Sequence, residues 1–168
     1  MIHLYMGTGK GKTTAALGLG LRAVGAGLQV VMIQFMKGIQ SNESKAIKKL
    51  PNFSLTTFGR NVFLTEKSHE PIDETLAEKG LMFAKEILKQ KKCDILILDE
   101  ITIAVAFQLL KKEDVLSFIR KKPDEITIVL TGRLADKDFI SIADLVTNFK
   151  EIKHPYQKKA KPQPGIEY

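Results

Sequence analysis

The stretch YMGTGKGKTTAALG, residues 5–18, decides the fold. A phosphate-binding loop follows the pattern G-x-x-x-x-G-K-[ST]. Gly11, Lys12 and Thr13 supply its last three positions, but Met6 stands where the first glycine belongs. The flanks are those the motif requires. MIHLYM (1–6) reads as a strand, and TTAALGLGLRAVGAG (13–27) as a helix stopped by Gly25 and Gly27. Gly7 follows Met6 directly and can make the strand exit. Gly7, Gly9 and Gly11 let the backbone curl so that its N–H groups face phosphate oxygens. A helix N-terminus near Lys12 adds partial positive charge. Lys12 can reach the terminal phosphates with Lys10 beside it, and the Thr13 hydroxyl can ligate magnesium. Thr8 and Thr14 complete the expected phosphate contacts.

The acidic partner is in ILILDE (95–100), an apolar run ending in Asp99 and Glu100. In phosphate-loop proteins an acid at the carboxyl end of a strand holds magnesium directly or through water. The remaining chain alternates buried-type strands with amphipathic stretches. LQVVMIQF (28–35), FSLTTF (53–58) and EITIVLTG (125–132) read as strands. DLVTNFKEIK (144–153) reads as a more polar strand nearer an edge. Residues 72–90 place Ile72, Leu76, Phe83, Ile87 and Leu88 on one helical face. The fold class is α/β: a phosphate-loop, RecA-like three-layer sandwich with a mostly parallel sheet of about six strands. The loop strand is expected beside the acidic strand, because one magnesium ion must reach both. Residues 1–153 form the domain. The proline-bearing segment 154–168 is expected to be an irregular tail packed on it.

Composition bounds the rest. A chain of 168 residues suits one domain with one core. Its net charge of +7 suggests an anionic partner, although paired lysines such as Lys91/Lys92, Lys111/Lys112 and Lys121/Lys122 suit solvated helix ends and turns. No aromatic-and-basic ladder of the kind that binds single strands is present, so nucleic acid is not expected. No apolar run reaches the roughly 18 residues of a membrane span. The N-terminus lacks a signal-peptide layout, and the single Cys93 fits a reducing compartment; the expected location is cytoplasmic. His3, His69 and His154 lie too far apart for a zinc site. On the residues alone, a nucleotide hydrolase or kinase and a nucleic-acid-binding ATPase both remain compatible with the loop.

A loop without the leading glycine is typical of the phosphate-loop ATP:corrinoid adenosyltransferases, and this chain resembles that family over nearly its whole length. GTGKGKTTAALGLGLRAVGAG (7–27) resembles its loop and first helix, and VVMIQFMKG (30–38) its second strand with the lysine-glycine that follows. LDEITIAVAF (98–107) is similar to its acidic strand and next helix, and LTGR (130–133) to its threonine-glycine-arginine turn. EIKHPYQKKAKPQPGIEY (151–168) resembles its C-terminal signature. Three departures stand out. The chain begins at the strand, without the N-terminal arm that helps cover the site in many members. It has no tryptophan in FGRNVFLTEK (58–67), where members often carry one. Lys159, Pro162 and Pro164 replace residues that are usually smaller or less rigid.

The resemblance implies that cobalt(I) of a reduced corrinoid attacks C5′ of ATP and triphosphate leaves as a unit. Lys12 and Glu100 are then the catalytic residues, and Thr13, Glu100 and Asp99 the holders of magnesium or manganese. Gly7 through Thr14 and Arg133 bind ATP, and Phe58 or Phe63 faces the corrinoid. The resemblance also implies a homodimer and a flavoprotein-type reductant for cobalt(II).

Overall fold

The structure, a computed structural model, describes residues 1–38, 42–62, 64–66, 68–153, 163 and 165–166. The elements run β1 (Ile2–Met6), α1 (Lys12–Gly25), β2 (Val30–Phe35), α2 (Asn42–Ile47), β3 (Phe53–Phe58) and α3 (Pro71–Lys89). They continue β4 (Ile95–Asp99), α4 (Ile101–Ala106), α5 (Lys112–Arg120), β5 (Thr127–Gly132), α6 (Lys137–Ile142) and β6 (Leu145–Asn148). Six strands form one sheet in the order β3-β2-β4-β5-β1-β6, and every pairing is parallel.

The continuous apolar runs become strands because both sheet faces are covered. Along β4, Leu96 and Leu98 face a core shared with α3, α4 and α5, while Ile95 and Ile97 face a second core shared with α1. β2 and β4 are buried throughout. β6 is exposed along its length and lies at an edge, as its polar sequence predicts. The helix expected over 72–90 forms and buries Ile87 and Leu88 as expected, with Leu76 and Phe83 half-buried, but Ile72 falls outside the buried face. Asp73, Ala77, Gly80, Leu81, Ala84, Ile87 and Leu88 turn inward, whereas Ile72 is exposed. Small residues win these positions because α3 lies close to the sheet: a Cβ on Gly80 would stand 2.8 Å from the Phe35 ring.

One expectation fails in an informative way. β1 does not lie beside β4; its neighbours are β5 and β6, and β5 separates it from the acidic strand. The chain leaves β1 and enters β2 two strands beyond β5, so α1 must span the gap and packs over β1, β5, β4 and β2. The N-terminus of α1 therefore reaches the end of β4 by crossing over β5, with no need for strand adjacency.

Behind the site, on β1, both ring nitrogens of His3 are buried without a hydrogen-bond partner among the described residues. Burial, with the nearby N-terminal charge, lowers its pKa below 6.5. As pH falls through 6.5 the unfolded chain therefore takes up the proton first, and stability is lost. His3→Leu should raise stability by on the order of 1 kcal/mol near pH 7. The gain should widen towards pH 5, as read by urea unfolding across that range.

Candidate nucleotide site

The loop between β1 and α1 is shaped by two glycines at positive φ, Gly7 at 108° and Gly11 at 110°. Gly7 makes the strand exit that the missing first glycine left open. Its space is taken on the other side by the chain leaving β6, and a Cβ there would strike the Asn148 side chain. At Gly9 a Cβ would come within 2.8 Å of the Phe149 carbonyl oxygen. The Gly9 N–H donates to that oxygen at 2.7 Å, and the Phe149 N–H to Met6 at 2.7 Å. The first half of the loop is thus pinned to Phe149, and its Gly9 N–H is spoken for within the fold. The other half, Lys10 to Thr14, lines a cavity of about 560 Å³. Thr8 is exposed at the loop tip. Lys12 Nζ donates to the Gly9 carbonyl at 2.7 Å, and burial lowers its pKa.

Below the cavity lies Asp99, with no exposed surface. Its Oδ1 accepts from Thr13 Oγ1 at 2.9 Å and from Thr131 Oγ1 at 2.6 Å. Its Oδ2 accepts from Gln34 Nε2 at 3.0 Å and from Lys37 Nζ at 2.9 Å. Burial alone would raise the Asp99 carboxyl. The Lys37 charge and the bonds from Lys37, Thr131 and Thr13 outweigh it and hold the group below the usual carboxylate range. The same pairing raises Lys37 against its own burial.

Glu100 is a different acid. It takes a left-handed φ of 63° as the N-cap of α4, a conformation that costs a non-glycine residue on the order of 1 kcal/mol. Its N–H donates to Thr131 Oγ1 at 3.0 Å. Its side chain lines the cavity. Burial, then the Asp99 charge, raises its carboxyl, while Lys37, Lys12 and Arg133 oppose the shift.

The sequence-predicted residues divide accordingly. Lys10, Gly11, Lys12, Thr13, Thr14 and Glu100 meet at one cavity, with Asp99 beneath. Gly7 and Gly9 build the loop from the β6 side. Arg133 is exposed just beyond β5, near enough to influence Lys12 and Glu100. Phe58 is half-buried, its ring 5.8 Å from that of Phe83. Phe63 and most of the 154–168 tail lie outside the described residues; Gly165 and Ile166 line the cavity. Sequence reasoning missed Lys37, Gln34 and Thr131 as members of the network. The signal was available: Gln34 and Thr131 are polar residues near the carboxyl ends of otherwise apolar strands, and Lys37 stands two residues beyond one.

A glycine-shaped loop opening a helix, with its hydroxyl bonded to a strand-end aspartate in a parallel sheet, defines a phosphate-loop nucleotide-binding protein. Comparison with known proteins sharpens that class. The family model for ATP:corrinoid adenosyltransferase BtuR/CobO/CobP matches residues 1–168, and the chain belongs to this family. It is 32% identical to the corrinoid adenosyltransferase of Escherichia coli (strain K12), over all of this chain and 85% of that protein. It is 35% identical to a corrinoid adenosyltransferase of Sinorhizobium sp, over all of this chain and 80% of that one. The corrinoid adenosyltransferase CobA of Salmonella typhimurium is 32% identical, with 85% of its length covered.

The Thr131 hydroxyl both donates to Asp99 and accepts from Glu100. Thr131→Val should cost about 1.5–3 kcal/mol, since a buried charged acceptor loses a donor, and Thr131→Ser should recover most of it. Asp99 is held below 3.8, so it contributes stability at neutral pH that is lost as pH falls through its folded value. Acid unfolding of Thr131→Val should begin at higher pH than in the wild type, as followed by circular dichroism.

Proposed function

We propose that this protein transfers the 5′-deoxyadenosyl group of ATP to cobalt(I) of a reduced corrinoid, in coenzyme B12 biosynthesis or salvage. The cobalt–carbon bond forms with the electron pair of cobalt(I). The C5′–oxygen bond breaks, and triphosphate departs with that bonding pair. Such a nucleophile needs no side-chain base to activate it. The task left to the protein is to stabilise charge on the departing triphosphate. The observation that carries the reading is the set of cations lining one cavity: Lys10, Lys12 and Lys37 above the Asp99 network. Cys93, the single cysteine, is buried with its thiol pushed up to about 12, so it offers no competing nucleophile.

The donor set also fits a hard divalent cation. Both Asp99 oxygens are already occupied by two donors each. Thr13 donates its proton to Asp99, which leaves its oxygen lone pairs for a metal, and Glu100 presents a carboxylate to the same cavity. Thr13 and Glu100 would hold magnesium or manganese, with Asp99 acting through Thr13. The ion would supply electrostatic stabilisation of the triphosphate. Arg133 is proposed to meet a phosphate end. Phe58 and Phe63 are proposed on the corrinoid side, and residues 154–168 as a tail packed on the domain, as Gly165 and Ile166 at the cavity suggest. Reduction of cobalt(II) needs a one-electron donor, proposed to be a cytoplasmic flavoprotein. A homodimer is proposed as the assembly. No helix among the described residues is long and apolar enough to cross a membrane.

Incubation with ATP, magnesium and a chemically reduced corrinoid should yield triphosphate and a cobalt–carbon bond in equal amounts. Lys12→Ala should weaken ATP binding and turnover roughly ten- to a hundredfold, the worth of a charged contact. Glu100→Gln should still bind ATP and regain part of its activity at raised magnesium. Release of inorganic phosphate without any corrinoid, as fast as alkyl transfer, would instead make Glu100 a base on water and the protein a hydrolase.

A further inference from the structure

Two chain segments leave the carboxyl end of the sheet in contact: Met36 to Gly38 after β2, and Gly59 to Asn61 after β3. They touch backbone to backbone. A Cβ on Gly59 would run into the Lys37 nitrogen, and one on Gly38 into the Arg60 carbonyl carbon. Met36 adopts a left-handed φ of 59° at the crossing, and its N–H donates to the Phe58 carbonyl at 2.8 Å. With no side chain between the two backbones, a shift of one must displace the other.

The outer segment is anchored. The Arg60 guanidinium donates to both Asp73 oxygens, at 2.8 and 2.7 Å, and to Glu70 at 2.8 Å. Asp73 is only 2% exposed, and it accepts from the Glu70 N–H at 2.8 Å, closing the capping box that starts α3. A two-pronged bond to a fixed, buried carboxylate sets the orientation of Arg60 as well as its distance. The inner segment carries Lys37, whose Nζ sits 2.9 Å from Asp99 and which lines the cavity.

We infer that Arg60 is a positioning residue for the nucleotide site: through the Gly38–Gly59 crossing it holds Lys37 against Asp99 and at the cavity wall. This rests on the reading that the cavity takes the triphosphate of ATP. Arg60 does not itself line that cavity, so its effect on ATP must pass through Lys37. A charge pair that merely stabilised α3 would change the melting temperature and leave nucleotide affinity to a folded protein unchanged.

A double-mutant cycle on the full chain separates these roles. Magnesium-ATP affinity is measured by titration calorimetry for the wild type, Arg60→Ala, Lys37→Met and the double variant. Arg60→Ala should weaken ATP binding about tenfold in the wild-type background, and less than about twofold once Lys37 is replaced. Arg60→Lys, which keeps the charge and loses the fork, should give an intermediate loss, and it supplies the same cycle if Arg60→Ala does not fold. An equal loss in both backgrounds, or a lowered melting temperature with ATP affinity unchanged, overturns the positioning role alone. A wild type that does not bind ATP overturns the nucleotide reading and this inference with it.

Discussion

A carboxylate stripped of water and still charged is the constraint on which the site depends. Taking an ion of this size out of water costs several kcal/mol unless its oxygens are met. Asp99 is met by Thr13 from α1, Gln34 from β2, Lys37 from the segment after β2 and Thr131 from β5. Those donors lie on parts of the chain up to 118 residues apart, from Thr13 to Thr131, and moving any one of them takes a donor from the buried charge. The loop, the central strands and the α1 crossover are thereby fixed relative to one another. The nucleotide cavity inherits its shape from that agreement.

Glycine carries a second constraint, for two unlike reasons. Gly11 is needed for its backbone angle, which turns the loop into α1. Gly9, Gly38 and Gly59 are needed because another backbone occupies the place of a side chain. The loop leans on the chain leaving β6, and the segment after β2 leans on the one after β3. The glycine pattern is thus explained partly by backbone conformation and partly by packing between elements far apart in sequence.

This division accounts for what the sequence makes legible. Strand runs buried on both faces declare a parallel sheet, and the loop with its strand-end acids declares the site, because each depends on neighbours along the chain. The separation of β1 from β4 is not legible, because nothing in MIHLYM or ILILDE records that β5 lies between them. On α3 the large apolar residues mark Ile87 and Leu88 as inward, but not the small residues that share their face. Ala77, Gly80 and Ala84 face the sheet at close range, while Ile72 lies near the helix start in solvent. Gln34 and Thr131 stand inside apolar runs, and a polar residue buried in a strand demands a partner. That demand was readable, but the identity of the partner depended on strand order.

The two adjacent acids acquire different chemistry from this geometry. Asp99 points into the fold, where its donors favour the charged form. Glu100, one residue on, turns through a left-handed φ and faces the cavity, where burial and the neighbouring charge favour the neutral form. Adjacent residues in a regular strand also point to opposite faces, but both would then lie under the flanking helices. The break in the strand at Glu100 instead sends its side chain to the cavity, and Thr131 stabilises the break by accepting the Glu100 N–H. A divalent cation or a phosphate-bound counterion entering the cavity would favour the Glu100 carboxylate and offset the repulsion from Asp99. Charge at the mouth of the site is therefore left for ligands to complete, while charge at its base is completed by the fold.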